Sequence, residues 1–503
     1  MSRLPSRAIV VACALVLPAI SPAQLIQIKT VPVAQGDQFD IFPSRNMAMG
    51  GVSIALRDPL LDPFVNPATA ARVKDGLVAG APGMFSVSED AGGGRTLPVS
   101  VIHQSKSWFG GLALALQEID GARPFRGPFP PGPIVALSSI APEIPQPAPQ
   151  RTHGNRLAFA LLGTSLENAG VSLGASVQWA ELNGVDGVEF LYAQSQDVAQ
   201  FGHIVDARLG LLKEWAGDRS LEATLVHNRV DMTHDVTYAD FFWDPTQQQI
   251  VTRPRVEHNV DRTFTWGAHL EYDQPIPGTA WRGGARFTAN VASHPKIPNY
   301  EIMNIPRDPG RSHAYDLGVG FARTEGGTTF GIDAIFEPIR SHTWADAATA
   351  VGTSTGDTLA AGARTIENWF RFSNAILRFG LTEEHPVDES DAVVALQFGV
   401  AVRSINYRLH QVDHVQGTQR RLRESWREWM PTWGLRWEMP RLAIGYRGSI
   451  TTGTGRPGVV RRGFGGDVVA VAESNILIAP SGPIALGRVN VVSHQLSISL
   501  PIH

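Results

Sequence analysis

Trp281-Arg282-Gly283-Gly284-Ala285-Arg286-Phe287-Thr288-Ala289-Asn290-Val291 alternates at every step. Trp281, Gly283, Ala285, Phe287, Ala289 and Val291 fall on one side, and Arg282, Gly284, Arg286, Thr288 and Asn290 on the other. Successive side chains of a β-strand point to opposite faces, so the stretch predicts a strand with one apolar face and one small or polar face. The same rhythm recurs over 171–179, 264–272, 315–322 and 394–403. A soluble sandwich alternates too, but these runs of about 8 to 11 residues match a tilted transmembrane strand better than the usual soluble one. Aromatic residues stand near the ends of such runs (Trp108, Trp179, Trp215, Tyr272, Trp281, Tyr315, Trp433, Trp437), where a membrane-interface girdle belongs.

Connections alternate between short and long. Short turns are predicted near 104–107, 164–169, 216–218, 274–278, 325–328, 383–389 and 440. Long loops are predicted near 119–154, 183–203, 232–260, 293–312, 339–364, 405–424 and 452–487. Short turns on one side and long loops on the other is the plan of an outer-membrane barrel. With a further short loop near 89–95 the count is sixteen strands; it is fourteen if the hairpin carrying Pro82 and Pro98 fails, since Pro removes a ladder donor. The fold expected is therefore all-β, a transmembrane antiparallel β-barrel of 14–16 strands over 77–503. Segments 205–215 and 366–381 also read as short helices.

Composition agrees. Of 503 residues 50 are Gly and only 18% are charged, and mean hydropathy is -0.06. This is neither a helical membrane protein nor a disordered chain. A net charge of -4 offers no electrostatic reason for a nucleic-acid partner. Arg3 and Arg7, an apolar run from Ala8 to Ile20, and Ser21-Pro22-Ala23 lay out a secretory signal over 1–23, too short to span a bilayer. A lipoprotein signal at Cys13, the one cysteine, would leave an apolar region below the usual minimum of about seven residues. The end, Val492 to Ile502, alternates like a last strand but closes on His503 rather than an aromatic residue.

Residues 24–76 do not alternate. Small-residue and Pro turns break them into short pieces, which predicts an N-terminal luminal hatch or plug. Arg45, Gly50-Gly51, Ala55, Asp58 and Asn66-Pro67-Ala68 resemble the N-terminal signature of the FadL-like outer-membrane proteins, and are similar also to the PorV-type barrels of type IX secretion. The second acidic residue of that signature is replaced by Pro59, with Asp62 close by. The resemblance covers about thirty residues. It implies a hatch-blocked barrel that passes long-chain fatty acids or aromatic hydrocarbons, or alternatively one that binds secreted cargo or a secretion-system partner.

Loop 119–154 holds nine prolines between Gly121 and Gln150, together with Phe125, Phe129, Ile134, Val135, Leu137 and Ile140. Such a stiff apolar loop is a candidate landing place for a hydrophobic small molecule, or a plain surface loop. Arg420, Arg421, Arg423 and Arg427, beside Trp426 and Trp429, are candidates to contact lipopolysaccharide phosphates; the alternative is a solvated loop pairing with Glu424 and Glu428. The acidic turn 383–389 lacks the oxygen spacing of a dedicated Ca²⁺ site. Scattered histidines and the absence of HExxH, GxSxG and P-loop motifs leave no metal, cofactor or catalytic residue expected, and no enzyme. The partners expected are outer-membrane lipid and lipopolysaccharide.

Overall fold

The computed structural model describes residues 37–58, 60–73, 76–88, 92–121, 152–186, 188, 197–293, 310–347, 349–387, 391–455 and 488–502. The chain begins with β1 (Gly76–Gly80), β2 (Gly83–Val87), β3 (Gly93–Ser105), β4 (Trp108–Asp120), β5 (Thr152–Leu166) and β6 (Val171–Leu182). It continues through β7 (Asp197–Trp215), β8 (Arg219–Asp244), β9 (Gln249–Pro275), β10 (Trp281–Ser293), β11 (Gly310–Glu325) and β12 (Thr328–Asp346). A small hairpin, β13 (Val351–Gly352) and β14 (Thr358–Leu359), precedes β15 (Arg364–Pro386), β16 (Val393–Asp413), β17 (Thr418–Met439), β18 (Leu442–Gly455) and β19 (Arg488–Ile502).

Every wall strand pairs antiparallel with its chain neighbour, and β1 and β2 close the ring by pairing with both β3 and β19. These two short strands share one wall position, so the barrel has 16. The break between them falls at Pro82, which has no N–H; its carbonyl still accepts from Leu496 N at 2.9 Å, so the hairpin survives. Closure leaves no open edge, the condition for β-structure in lipid.

The alternation read from the sequence is an alternation of surroundings. On β4, Leu112 and Leu114 are 60% and 66% exposed while Ala113 and Ala115 are 2%. Outward Leu, Phe, Val and Trp recur around the ring, including Leu209, Leu225, Trp266, Leu317, Phe336, Phe398 and Trp437. So continuous an apolar exterior is stable only against hydrocarbon. Among the described residues no helix is long and apolar enough to cross a membrane; the strands do the crossing. Both ends of the barrel wall, Gly76 and Ile502, lie together at the end bearing the tight turns, such as Gly326-Gly327 at φ 61° and 88°.

Three expectations change. Segments 205–215 and 366–381 lie in β7 and β15, whose burial alternates with period two, so the helical alternative is excluded. Strands are longer than the crossing itself, reaching 26 and 27 residues in β8 and β9. Accordingly the loops expected at 232–260 and 405–424 are strand, turning only at 245–248 and 414–417. Beyond lipid both faces of a hairpin are wet, so the ladder continues after the apolar alternation has stopped.

Candidate functional site

Residues 37–73 lie within the ring. They form 3₁₀ turns at Asp37–Phe39, Met47–Met49 and Pro67–Arg72 and one α-turn at Asp62–Val65. They touch inward faces around the wall, near the end with the tight turns. Close approach is possible because inward positions there are glycine. A Cβ on Gly399 would stand 2.0 Å from Gly50 N, one on Gly380 2.3 Å from Met49 O, and one on Gly284 2.3 Å from Ile54 O. Gly50 and Gly51, at φ 70° and 74°, are in the left-handed region that favours glycine.

Wall side chains then capture the backbone of this front half. Thr432 Oγ1 accepts from Gly50 N at 2.9 Å and donates to Ala48 O at 2.7 Å. Asp333, fully buried on β12, accepts from Ser53 N at 2.8 Å. Arg378 on β15 donates to Gly51 O at 2.8 Å and lies 3.6 Å from Asp333. Arg45 pairs with Glu438 at 2.7 Å, and its carbonyl accepts from Gln397 at 3.0 Å.

Asp58 organises the middle. Its Oδ2 accepts from Ser44 Oγ at 2.6 Å and Asn46 N at 3.2 Å, and its Oδ1 accepts from Leu60 N and Leu61 N at 3.2 and 3.3 Å. Asp62, which stands near the place of the absent second acid, accepts from Asp58 N at 2.8 Å. Burial, then the nearby Glu222 and Asp58, push the Asp62 carboxyl well above its ordinary range despite Arg72. Arg57 donates to Asp218 at 2.7 Å in the turn between β7 and β8. Burial acts to raise Asp218, but Arg57 and Arg282 outweigh it and hold the carboxyl low.

The rear half explains Asn66-Pro67-Ala68. Asn66 Oδ1 caps Ala68 N at 3.1 Å, and Nδ2 donates to Leu211 O at 3.3 Å and Glu222 at 3.1 Å, tying the turn to β7 and β8. Pro67 starts the 3₁₀ turn at the position where its missing N–H costs nothing. Arg72 donates to Glu222 at 2.6 Å and Glu214 at 3.0 Å. Arg208, paired with Asp206 at 2.6 Å, donates to Phe64 O at 2.9 Å and lies over the Phe64 ring.

Further toward the long hairpins, the lumen wall of β11–β17 changes character twice. One layer is polar: Arg403 donates to Glu337 at 3.1 Å and lies 3.9 Å from Glu428. Both side-chain polar atoms of Asn374 are buried without a hydrogen-bond partner, as are Nε and Nη1 of Arg403. Beyond it stands an apolar shelf of Ala314, Ile339, Phe372, Ile405, Tyr407 and Leu409, with Phe370 and Trp426 packed against it. The rings of Phe372 and Tyr407 are 5.3 Å apart.

All eight motif residues therefore lie on the luminal segment; Ala55 is buried there, and the structure gives each of the others a partner or a conformational role. Their wall partners (Asp333, Arg378, Arg208, Glu222, Thr432) are missing from the sequence reading. The one signal for them was a charged or hydroxyl residue on the small-residue side of an alternating run. Phe125, Phe129, Ile134, Val135, Leu137 and Ile140 fall outside the described residues. Arg420, Arg421, Arg423 and Arg427 are on β17 rather than a loop: Arg421, Arg423 and Arg427 are exposed on the outward side, and Arg420 belongs to the opposite side. In the acidic turn Glu383 accepts from Thr328 at 2.6 Å and Glu384 pairs with Arg436 at 2.7 Å.

No protein-family model matches the chain, and no curated protein does. Among solved structures it is similar to a FadL homologue of Pseudomonas aeruginosa, at 12% identity over 94% of this chain and 100% of that one, TM-score 0.44. It is similar to the toluene transporter TbuX of Ralstonia pickettii at 10% identity, covering 93% and 100%, TM-score 0.37. A bacterial polysaccharide outer membrane secretin matches at 8% identity, covering 85% and 99%, TM-score 0.41. In the motif residues the chain resembles the FadL-like outer-membrane proteins, while its barrel of 16 has more strands than the about fourteen that this resemblance implies.

Proposed function

We propose that this chain is a passive outer-membrane channel for hydrophobic small molecules, with residues 24–76 as its hatch. The observation that carries the reading is the apolar shelf inside the barrel. A water-filled pore lines its interior with polar groups; here Ile339, Phe372, Ile405, Tyr407 and Leu409 face inward on adjacent strands. All are 2% exposed or less, so a guest is admitted only when neighbouring groups rearrange.

The polar layer beneath the shelf bears on the guest's chemistry. One guanidinium, Arg403, faces two carboxylates, Glu337 and Glu428, which leaves no surplus positive charge for an anionic head. A neutral aromatic or aliphatic hydrocarbon fits this better than a fatty-acid anion. We assign its way onward to the cleft beside the front half of the hatch, between Pro43–Arg45 and Ala443, Gly445, Ser497 and Ser499, which Arg436, Glu438 and Arg447 also line.

The test is uptake of a radiolabelled neutral hydrocarbon by cells whose outer membrane carries the protein. Replacing Phe372 and Tyr407 together by Asp is expected to reduce uptake roughly tenfold by placing charge in the apolar route. Uptake unchanged in a correctly folded double variant would overturn the reading.

A further inference from the structure

The outward face of the long hairpins carries a second arrangement, independent of what passes through the lumen. Cross-strand register sets Arg340 of β12 opposite Arg371 of β15, Arg371 opposite Arg408 of β16, and Arg408 opposite Arg423 of β17. His313 of β11 continues the row beside Arg340. All five are exposed. None of the four arginines is in an ion pair with another described residue. Like charges directly opposed on neighbouring strands repel. Four in line at a strand spacing of about 4.8 Å form a basic strip roughly 14 Å long.

The height of the strip on the barrel indicates its ligand. Between Leu381, low in the apolar belt of β15, and Arg371 lie ten strand steps. At about 3.3 Å per residue and a tilt near 40° they rise roughly 25 Å, the height of the apolar band of such barrels. On β15 the row thus stands at the upper margin of the belt, on the side away from the chain termini, and on β17 the exposed Arg427 lies between the row and Trp429. One step further out, register aligns Arg311, His342, Trp369, His410 and Arg421. His342 and Trp369 stack at 4.9 Å between ring centres, and Trp369 and His410 at 5.2 Å. The carboxylate near this row, Glu367, is held by Arg364 at 2.6 Å, His342 at 3.2 Å and His414 at 3.3 Å.

We propose that this face binds a phosphorylated glycolipid of the outer leaflet, with phosphates on Arg340, Arg371, Arg408 and Arg423, sugar against the His342–Trp369–His410 stack, and acyl chains on the belt below. Arginine suits this because its planar fork bonds phosphate oxygens in pairs. The surface differs from the cluster expected at 420–427: only Arg423 belongs to the strip itself, Arg421 borders the aromatic row, and the other members come from strands distant in sequence.

Native mass spectrometry of the detergent-purified full chain tests it, with lipid A, dephosphorylated lipid A, phosphatidylethanolamine and inorganic phosphate as probes. The wild type is expected to retain lipid A at least roughly tenfold better than the dephosphorylated form. The variant R340Q/R371Q/R408Q loses that preference, whereas R156Q, at an exposed arginine on β5, keeps it. Heat-modifiable gel mobility confirms that each barrel is folded, and Arg371→Gln alone gives a smaller loss if the triple variant is not. Equal retention by wild type and folded variants overturns the proposal, as does indifference to dephosphorylation. Displacement of lipid A by millimolar inorganic phosphate would show a bare anion site and overturn the lipid assignment.

Discussion

Residues 45–54 and 64–73 occupy the same lumen, yet different forces hold them. The front half lies on glycine, and wall side chains (Thr432, Asp333, Arg378) grip its backbone; its buried apolar side chains, Met49, Val52 and Ile54, meet the wall chiefly at glycines, with Ile54 also packing on Ile335 and Ile376. The rear half has ionic anchors too, but Phe64, Ala70 and Val73 also join a large apolar core with Phe109, Phe159 and Leu161 of the wall. Phe159 packs on both Phe42 and Phe64 at 5.6 and 5.8 Å. Buried polar contacts are specific but replaceable by water, whereas apolar burial is lost in proportion to area. If this segment is a hatch, the expectation from these contacts is that its front loosens before its rear.

The largest expected effect comes from removing the front half. Deleting 24–60 while keeping 61–73 is expected to raise liposome swelling by small sugars roughly tenfold, as a plugged barrel becomes a porin-like one. Unchanged swelling would break the contrast, because the rear half would then be the seal.

Next is Asp333→Asn, which leaves Arg378 buried beside a neutral partner. Loss of one member of a buried pair costs about 3 kcal/mol. Hydrogen exchange over 48–56 is expected to accelerate by roughly two decades, with 64–72 unaltered; acceleration in both halves would mean that the segment moves as one body.

Asn66→Ala removes the bonds to Leu211 and Glu222 and the cap on Ala68. About 1–2 kcal/mol is expected here, less than at Asp333 because the apolar core remains. Limited proteolysis at Arg72 reads it, and protection equal to wild type would assign the rear seat to packing alone.

The smallest effects are those of pH. Asp62 has a raised carboxyl, so its seat is firmest below the unfolded-state value and weakens as pH rises from there through the folded one. Asp218 is held low, so its clasp on Arg57 is intact above the unfolded-state value and is lost as pH falls through the folded one. Acidification is therefore expected to slow exchange at 60–66 while loosening Arg57. Asp62→Asn should abolish the first trend and leave the second.

Much of the wall was legible. Alternation, tight turns and the hatch motif are local patterns, and a count of 14–16 strands follows from them; that the hairpin carrying Pro82 and Pro98 holds, making sixteen, was decided by its pairing with β19. The hairpins at 232–260 and 405–424 were not, because once both faces are wet only pairing with the neighbouring strand distinguishes strand from loop. The arginines of β17 were visible as a charged run, but their exposed members share a face with Arg340, Arg371 and Arg408 only after register is set.

What the amino-acid order determined unaided is which side chains share a strand face, since a period of two is a property of the backbone over a few residues. Folding decided which faces meet: that Gly399 receives Gly50, that Asp333 finds Ser53, and that four arginines from 340 to 423 form one line. Those pairings depend on ring closure and on the registers of many strands at once, and no short stretch of sequence contains them.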